Sequence, residues 1–308
     1  LNKRSLQQMK YYLCMEIGGT NLRYGAVSED FQLLSFSKIK TEALSDAVRK
    51  DDYINGLLQP LVKKYGSENI RCLSLSIASL MDEKRSMCYS SPNIKGFDNL
   101  PLADILRKKT GMPVFMERDV NTSLLYDIWK KGYDKSGIII GIYIGTGLGN
   151  AMCIDGRIYR GSTGSSCELG HIPLYGLTEE CGCGKAGCIE IKASGKALEK
   201  LAAEKFNCPV KEIFKLHRSS REVKNTVNMC AIAAATEITI LDPKHVILGG
   251  GVVEMEGFPL EEFINAVRVN LRVPNPRNAF RIELSSFDAH AGIVGAAINA
   301  AGIMGPLH

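Results

Sequence analysis

Between residues 170 and 190 the chain reads GHIPLYGLTEECGCGKAGCIE, which sets His171, Cys181, Cys183 and Cys188 in one short segment. Three thiols and an imidazole form a Cys3His donor set, the soft tetrahedral ligation of structural zinc. Gly182, Gly184 and Gly187 are expected to supply the backbone angles needed to fold so short a segment around one ion. The Cys-x-Cys pair is tighter than generic zinc-finger spacing, and a loop of reduced thiols is the bland alternative; the density of donors favours zinc. GCGKAG (182–187) also satisfies the dinucleotide fingerprint, but no strand precedes it and it contains a metal candidate, so that match is set aside. Glu168 lies three residues before His171, and Glu190 two after Cys188. An ionised carboxylate only accepts hydrogen bonds and can hold two hydroxyls at once, so a carboxylate pair suits a polyol. Taken singly, both are solvated loop acids; beside a metal-pinned loop they become ligand contacts. Asn93, in SSPN, adds a donor and an acceptor, though alone it is a plain turn asparagine.

Three glycine-rich turns follow apolar runs. YYLCMEIGGTNLRYGAV (11–27) reads as strand, turn (Gly18, Gly19, Thr20, Asn21) and strand. GIIIGIYIGTGLGNAMCIDG (137–156) repeats the design around Gly145, Thr146 and Gly147. HVILGGGVVEM (245–255) is a buried strand opening into Gly249, Gly250 and Gly251. A glycine in a hairpin is ordinarily turn chemistry. The likeness of the first two hairpins argues for more, because paired Gly/Thr turns present backbone N–H groups and hydroxyls suited to a polyphosphate. No Walker A sequence occurs. Asp119, in MERDVNTSLL, follows a strand and opens a helix. It reads either as an N-cap carboxylate or as a base kept ionised by the helix terminus, able to take a proton from an attacking hydroxyl.

Composition narrows the classes. At 308 residues the chain is long enough for two domains. Its charge of +5 is spread without a long run of one sign, which argues against nucleic-acid and membrane-surface roles. The start, LNKRSLQQMKYYLCM, is too short and polar for a secretory signal, and Leu1–Gln8 match no element, so Met9 is read as the natural start. No stretch approaches the roughly 18 apolar residues of a membrane span. A cytoplasmic protein is expected, with Cys14, Cys72, Cys88, Cys153, Cys167, Cys208 and Cys230 as small core hydrophobes rather than disulfides. Strand-like IRCLSLSIASL (70–80) and PVFME (113–117) alternate with helix-like 102–111, 121–132, 226–242 and 291–304, an α/β organisation with mixed sheets.

EIGGTNLR, SSPN, ERDVN, GTGLG, CELGH, CGCGKAGCIE and VILGGGV, in that order, resemble the ROK family of sugar kinases and repressors, from Tyr11 to the final helix. The resemblance implies an α/β, actin-like ATPase (ribonuclease-H-like) fold of two duplicated domains with an active-site cleft between them. Residues 9–118 plus 292–308 would form the smaller domain, and 119–291 the larger one with the zinc loop. It further implies ATP and Mg2+ as cofactors, a hexose acceptor, structural Zn2+ and a homodimer. Asp119 falls on the catalytic base; Asn93, Glu168, His171 and Glu190 fall on sugar contacts; His171, Cys181, Cys183 and Cys188 fall on zinc ligands.

Two departures stand out. The first phosphate loop begins with Glu16 where the family usually has Asp, which puts Mg2+ placement through this position in doubt. Arg118 stands where many members carry an asparagine that contacts a ring hydroxyl, and a guanidinium cannot accept a hydrogen bond. A hexose other than glucose is therefore expected, and the combination of RDVN, DEKRSMCYSSPN and GGGVVEMEGFP resembles allose-phosphorylating members, which implies D-allose first, with glucokinase, fructokinase and N-acetylmannosamine kinase activities as alternatives. A repressor needs an N-terminal helix-turn-helix, and only about a dozen residues precede the first strand. A non-catalytic sugar binder would have no use for Asp119 together with three glycine turns.

Overall fold

The computed structural model describes residues 9–305, so the reading of Leu1–Gln8 and the last three residues of the expected smaller domain lie outside the described residues. In chain order the elements begin with strands β1 (Tyr11–Ile17), β2 (Asn21–Ser28) and β3 (Leu33–Lys40) and helices α1 (Glu42–Asp46) and α2 (Lys50–Tyr65). Next come β4 (Ile70–Ile77), β5 (Leu80–Met81), β6 (Cys88–Ser90), α3 (Leu102–Thr110), β7 (Val114–Arg118) and α4 (Asp119–Lys131). Strands β8 (Ile138–Ile144), β9 (Leu148–Ile154) and β10 (Arg157–Ile158) precede α5 (Gly195–Leu201), α6 (Ile213–His217) and α7 (Arg221–Leu241). The chain closes with β11 (His245–Gly249), α8 (Leu260–Asn270), β12 (Ile282–Leu284) and α9 (Ala291–Met304).

Contacts divide the chain into two units. The first runs up to Lys131 and includes Arg160–Ser166 and the chain from Asp288 on; the second holds Gly132–Tyr159 and Cys167–Phe287. The division falls after α4 rather than before it, as the sequence had suggested, because α4 packs along α9 and against β7.

In the first unit a five-stranded sheet has the order β3-β2-β1-β4-β7. Strands β1 and β2 form an antiparallel hairpin, and β1, β4 and β7 run parallel. The twofold period of β1 sorts its side chains. Leu13, Met15 and Ile17 join Leu73, Leu75, Leu102 and Leu106 beneath α2 and α3. Tyr12 and Cys14 point the other way, into a cluster with Tyr126 of α4 and Ile293, Ala296 and Ala300 of α9. The small residues of α9 let its backbone come close enough for the Ser74 hydroxyl to donate to the Ala296 carbonyl at 2.7 Å.

The second unit repeats the layout with the order β10-β9-β8-β11-β12, an antiparallel β8–β9 hairpin extended by parallel β11 and β12. Ile140, Ile142 and Ile144 of β8 lie in register with Met152, Asn150 and Leu148 of β9. The apolar members of these rows pack with Ala231, Ala234 and Ile238 of α7 and Phe263 and Val267 of α8. None of the ten cysteines is joined in a disulfide; of the seven expected in the core, Cys167 and Cys208 are only half-buried. Among the described residues, no helix is long and apolar enough to cross a membrane.

Candidate active site

Parallel strands that begin together end together, and the carboxyl ends of β1, β4 and β7 gather the candidate residues of the first unit. After β1 comes the hairpin turn, closed by the Gly18 N–H donating to the Asn21 carbonyl at 3.1 Å. The Thr41 hydroxyl holds it from below, donating to the Gly18 carbonyl at 2.6 Å. After β4 the chain passes through β5 and β6 to the SSPN turn, which rests directly on the hairpin: a Cβ at Gly19 would lie 2.9 Å from the Asn93 Cβ. Glycine at 19 is required by this close approach. After β7 comes Asp119, the first residue of α4.

The Asp119 carboxylate accepts the Val120 N–H at 2.9 Å. Burial pushes its pKa up, opposed by the Arg118 guanidinium and by backbone N–H groups. The helix terminus and Arg118 thus offset only part of the desolvation and leave a carboxylate more basic than usual. Glu16, on the same side of the sheet, is raised to about 7 by burial, against the pull of Arg23, which donates to its Oε1 at 2.7 Å. Arg118 gives Nη1 to the Ser166 carbonyl at 2.6 Å.

Sequence reasoning missed the group beneath these residues. Glu117 is wholly buried (0 % exposed) at the end of β7. It accepts from the Arg118 N–H at 2.9 Å, from Asn121 Nδ2 at 2.8 Å and from Arg160 Nε at 2.7 Å. Arg85, 6 % exposed, lies 3.1 Å from it and donates Nη1 to the Gly164 carbonyl. One carboxylate therefore orders the turn into Asp119 and, through Arg160, the segment Arg160–Ser166. The only sequence signal was an acid at an inward register position of a strand.

In the second unit the carboxyl ends of parallel β8 and β11 carry the other glycine turns. The Gly145 carbonyl accepts the Gly195 N–H at 2.8 Å, and the Thr146 carbonyl the Lys196 N–H at 3.1 Å, so the hairpin is fastened to the start of α5. The Val252 N–H donates to the Ile144 carbonyl at 2.9 Å and brings Gly249, Gly250 and Gly251 alongside.

The same unit holds the cysteine segment. The ligand atoms of His171, Cys181, Cys183 and Cys188 all lie within 4.8 Å of one another. Cys183 and Cys188 sulfurs are 3.5 Å apart, and Cys181 Sγ is 3.6 Å from His171 Nδ1. A tetrahedral ion with Zn–S bonds of ~2.3 Å spaces its sulfurs by ~3.8 Å, so the donors fit zinc in kind and in spacing. Gly184 and Gly187 take the left-handed backbone expected of them (φ +92° and +80°), whereas Gly182 does not, so the turn needs only two such glycines. His171 turns its other nitrogen outward, with Nε2 3.5 Å from Glu168 Oε2. Glu190 accepts the Leu148 N–H at 2.8 Å, next to the Gly145–Gly147 turn. The expected set thus assembles as two groups. Asn93, Arg118 and Asp119 stand with the first glycine turn, and Glu168, His171 and Glu190 with the cysteines and the other two turns.

Two sheets of one strand order, each a glycine hairpin extended by parallel strands, define the duplicated actin-like ATPase fold. Residues 12–302 match the ROK family, and the chain belongs to it. It is 28% identical to the glucokinase of Thermotoga maritima over 92% of this chain and 95% of that protein. It is 29% identical to the N-acetyl-D-glucosamine kinase of Photobacterium profundum over 80% of this chain and 85% of that one. Among solved structures, the ROK family glucokinase from Streptomyces griseus in complex with glucose and AMPPNP superposes with a TM-score of 0.77 at 26% identity, covering 93% of this chain and 98% of that one. The ROK hexokinase from Thermus thermophilus gives 0.79 at 28% identity, covering 96% and 100%.

Proposed function

We propose that the protein is an ATP-dependent sugar kinase that transfers the γ-phosphoryl group to the 6-hydroxyl of an aldohexose. One arrangement carries the reading. The Gly18–Thr20 turn and Asp119 both follow the carboxyl ends of parallel strands in one sheet, so a phosphate cradle and a proton acceptor share an edge. Membership of the ROK family and the sugar kinases among its relatives support it.

Gly18, Gly19, Thr20 and Asn21, with Gly145–Gly147 and Gly249–Gly251, are assigned to ATP. Asn93, Glu168, His171 and Glu190 are assigned to sugar hydroxyls. Asp119 accepts the 6-hydroxyl proton as that oxygen attacks the γ-phosphorus in line and the bond to the ADP oxygen breaks. Burial makes Asp119 a stronger acceptor, and Arg118 favours its ionised form. Mg2+ when bound neutralises phosphate charge. His171 Nδ1 with Cys181, Cys183 and Cys188 would hold zinc, whose role is to fix the turn that carries Glu168 and His171 Nε2.

Within this class D-allose is the acceptor we assign, on Arg118 and on the resemblance of RDVN, DEKRSMCYSSPN and GGGVVEMEGFP to allose-phosphorylating members. Donors in place of an acceptor favour an epimer whose 3-hydroxyl lies on the opposite ring face from that of glucose. A coupled ATP-consumption assay across hexose epimers tests both levels. Allose is expected to exceed glucose by about 10–100-fold in kcat/KM, and Arg118→Asn to narrow the gap. Equal constants would remove the allose assignment, and no turnover of any hexose would remove the kinase reading.

A further inference from the structure

A carboxylate that the proposed chemistry does not use lies buried under the sugar-contact turn. Glu237, 6 % exposed, sits on the face of α7 that carries Ala234 and Ile238, where an apolar residue would pack without cost. Opposite it, Asn150 (4 % exposed) interrupts the inward row Leu148, Asn150, Met152 of β9. The two polar residues meet: Asn150 Nδ2 donates to Glu237 Oε1 at 2.8 Å. The other end of the same amide, Asn150 Oδ1, accepts the N–H of Leu169 at 3.0 Å. Leu169 opens the single turn Leu169–His171, with Glu168 immediately before it, and that turn is closed by the His171 N–H donating to the Glu168 carbonyl at 2.9 Å.

A carboxamide can present either end to a neighbour. If Nδ2 faced the Leu169 N–H, two donors would oppose each other. An acceptor fixed on the far side decides the orientation, and Glu237 supplies one. We propose that Glu237, acting through Asn150, is a positioning residue for the turn that carries Glu168 and His171, and so sets affinity for the sugar without affecting that for the nucleotide. The inference rests on the assignment of Glu168 and His171 to sugar hydroxyls. Burial raises Glu237 to about 7. A proton on Oε2, which has no partner, still leaves Oε1 to accept, so the role does not depend on charge. Glutamine can therefore fill it and leucine cannot.

The test is steady-state kinetics of the full chain with ATP and the best hexose of the epimer panel, for Glu237→Gln, Glu237→Leu, Asn150→Ala and Glu168→Ala. Glu237→Leu and Asn150→Ala are expected to raise the sugar KM about tenfold with kcat and the ATP KM within about twofold, while Glu237→Gln stays within about twofold of the parent throughout. Asn150→Ala keeps the test open should Glu237→Leu not fold. If Glu168→Ala raises the sugar KM and both Asn150→Ala and Glu237→Leu leave it unchanged, the positioning role is overturned and the sugar-contact assignment stands. If Glu237→Gln is as damaging as Glu237→Leu, or if the ATP KM rises in parallel, the pair only fills the core and the role is likewise overturned. If Glu168→Ala leaves sugar binding intact, the assignment beneath the inference falls and the inference falls with it.

Discussion

Glu190 Oε2 accepts the backbone N–H of Leu148 at 2.8 Å, so one carboxylate ties the end of the cysteine-rich segment to the first residue after the Gly145–Gly147 turn. The approach is close enough that a side chain on Gly147 would run into that carboxylate, and one on Gly170 into the Leu148 carbonyl beside it. An acid assigned to the sugar therefore also braces a turn assigned to ATP.

Glu190→Ala should consequently behave unlike Glu168→Ala. Removing the brace leaves a buried N–H without its acceptor, at roughly 1–3 kcal/mol, and frees the glycine turn. The KM values for sugar and ATP are expected to rise together in Glu190→Ala, and that for sugar alone in Glu168→Ala. Steady-state titration of each substrate separates the two patterns.

Asp119→Asn keeps shape and removes the proton acceptor. A fall of roughly 10²–10⁴-fold in kcat is expected, with sugar binding by calorimetry close to the parent. Turnover within about tenfold of the parent would dismiss Asp119 as base.

Cys183→Ser takes one thiolate from the proposed zinc site. Elemental analysis is expected to show about one zinc per chain in the parent and a large loss in the variant. The melting temperature and sugar affinity should fall with it, and prolonged treatment of the parent with a strong chelator should reproduce both. A parent free of zinc and fully active would end the proposal.

Stability should fall from mildly acidic to mildly basic pH. Glu237 titrates near 4.5 when exposed and near 7 in the fold, because burial disfavours its charged form. The folded state then holds a proton that the unfolded chain has lost. That stabilising difference is fully present below the unfolded pKa and is lost as pH rises through the folded one, at most ~3 kcal/mol for this group. Glu16, raised to about 7 as well, acts in the same direction. Urea midpoints at pH 5 and pH 8 should differ less for Glu237→Gln than for the parent.

Much of this site was legible because the residues that bear it are also the residues that punctuate the chain. IGGTN and IGTGLG announced both hairpins through glycine, and AGIVGAAINAAGIM announced α9 at its observed bounds through small-residue periodicity. The amphipathic helices α2 and α8 were not assigned from sequence, although Ile54, Leu57, Leu58 and Leu61 in one and Leu260, Phe263, Ile264 and Val267 in the other recur at helical spacing; Gly56 and Pro60 disguise the first as a broken segment. Arg85 stood in DEKRS, which reads as a solvated turn, and only the fold turns it inward onto Glu117. Glu237 sat in AAATEITIL as one acid among small and apolar residues, and nothing local reveals that it faces Asn150, 87 positions away, across a helix–sheet interface. Single-sequence patterns report which face is apolar. They do not report which polar residues meet inside.

The packing of α9 against β1 and β4 has a consequence for the nascent chain. The Ser74–Ala296 hydrogen bond spans 222 positions, and the cluster holding Tyr12 and Cys14 is completed only by Ile293 through Ala300. At a synthesis rate of about 5–20 residues per second, residues 11–17 wait roughly 15–60 s for the helix that covers one of their faces. The segment Gly132–Phe287 emerges earlier and includes every strand of its own sheet. The order of maturation is thus the reverse of the order of translation. During that delay an apolar sheet face is open to chaperones, and a ribosome stalled before α9 would release a chain in which both sheets have all their strands but the first lacks the helix that covers one face.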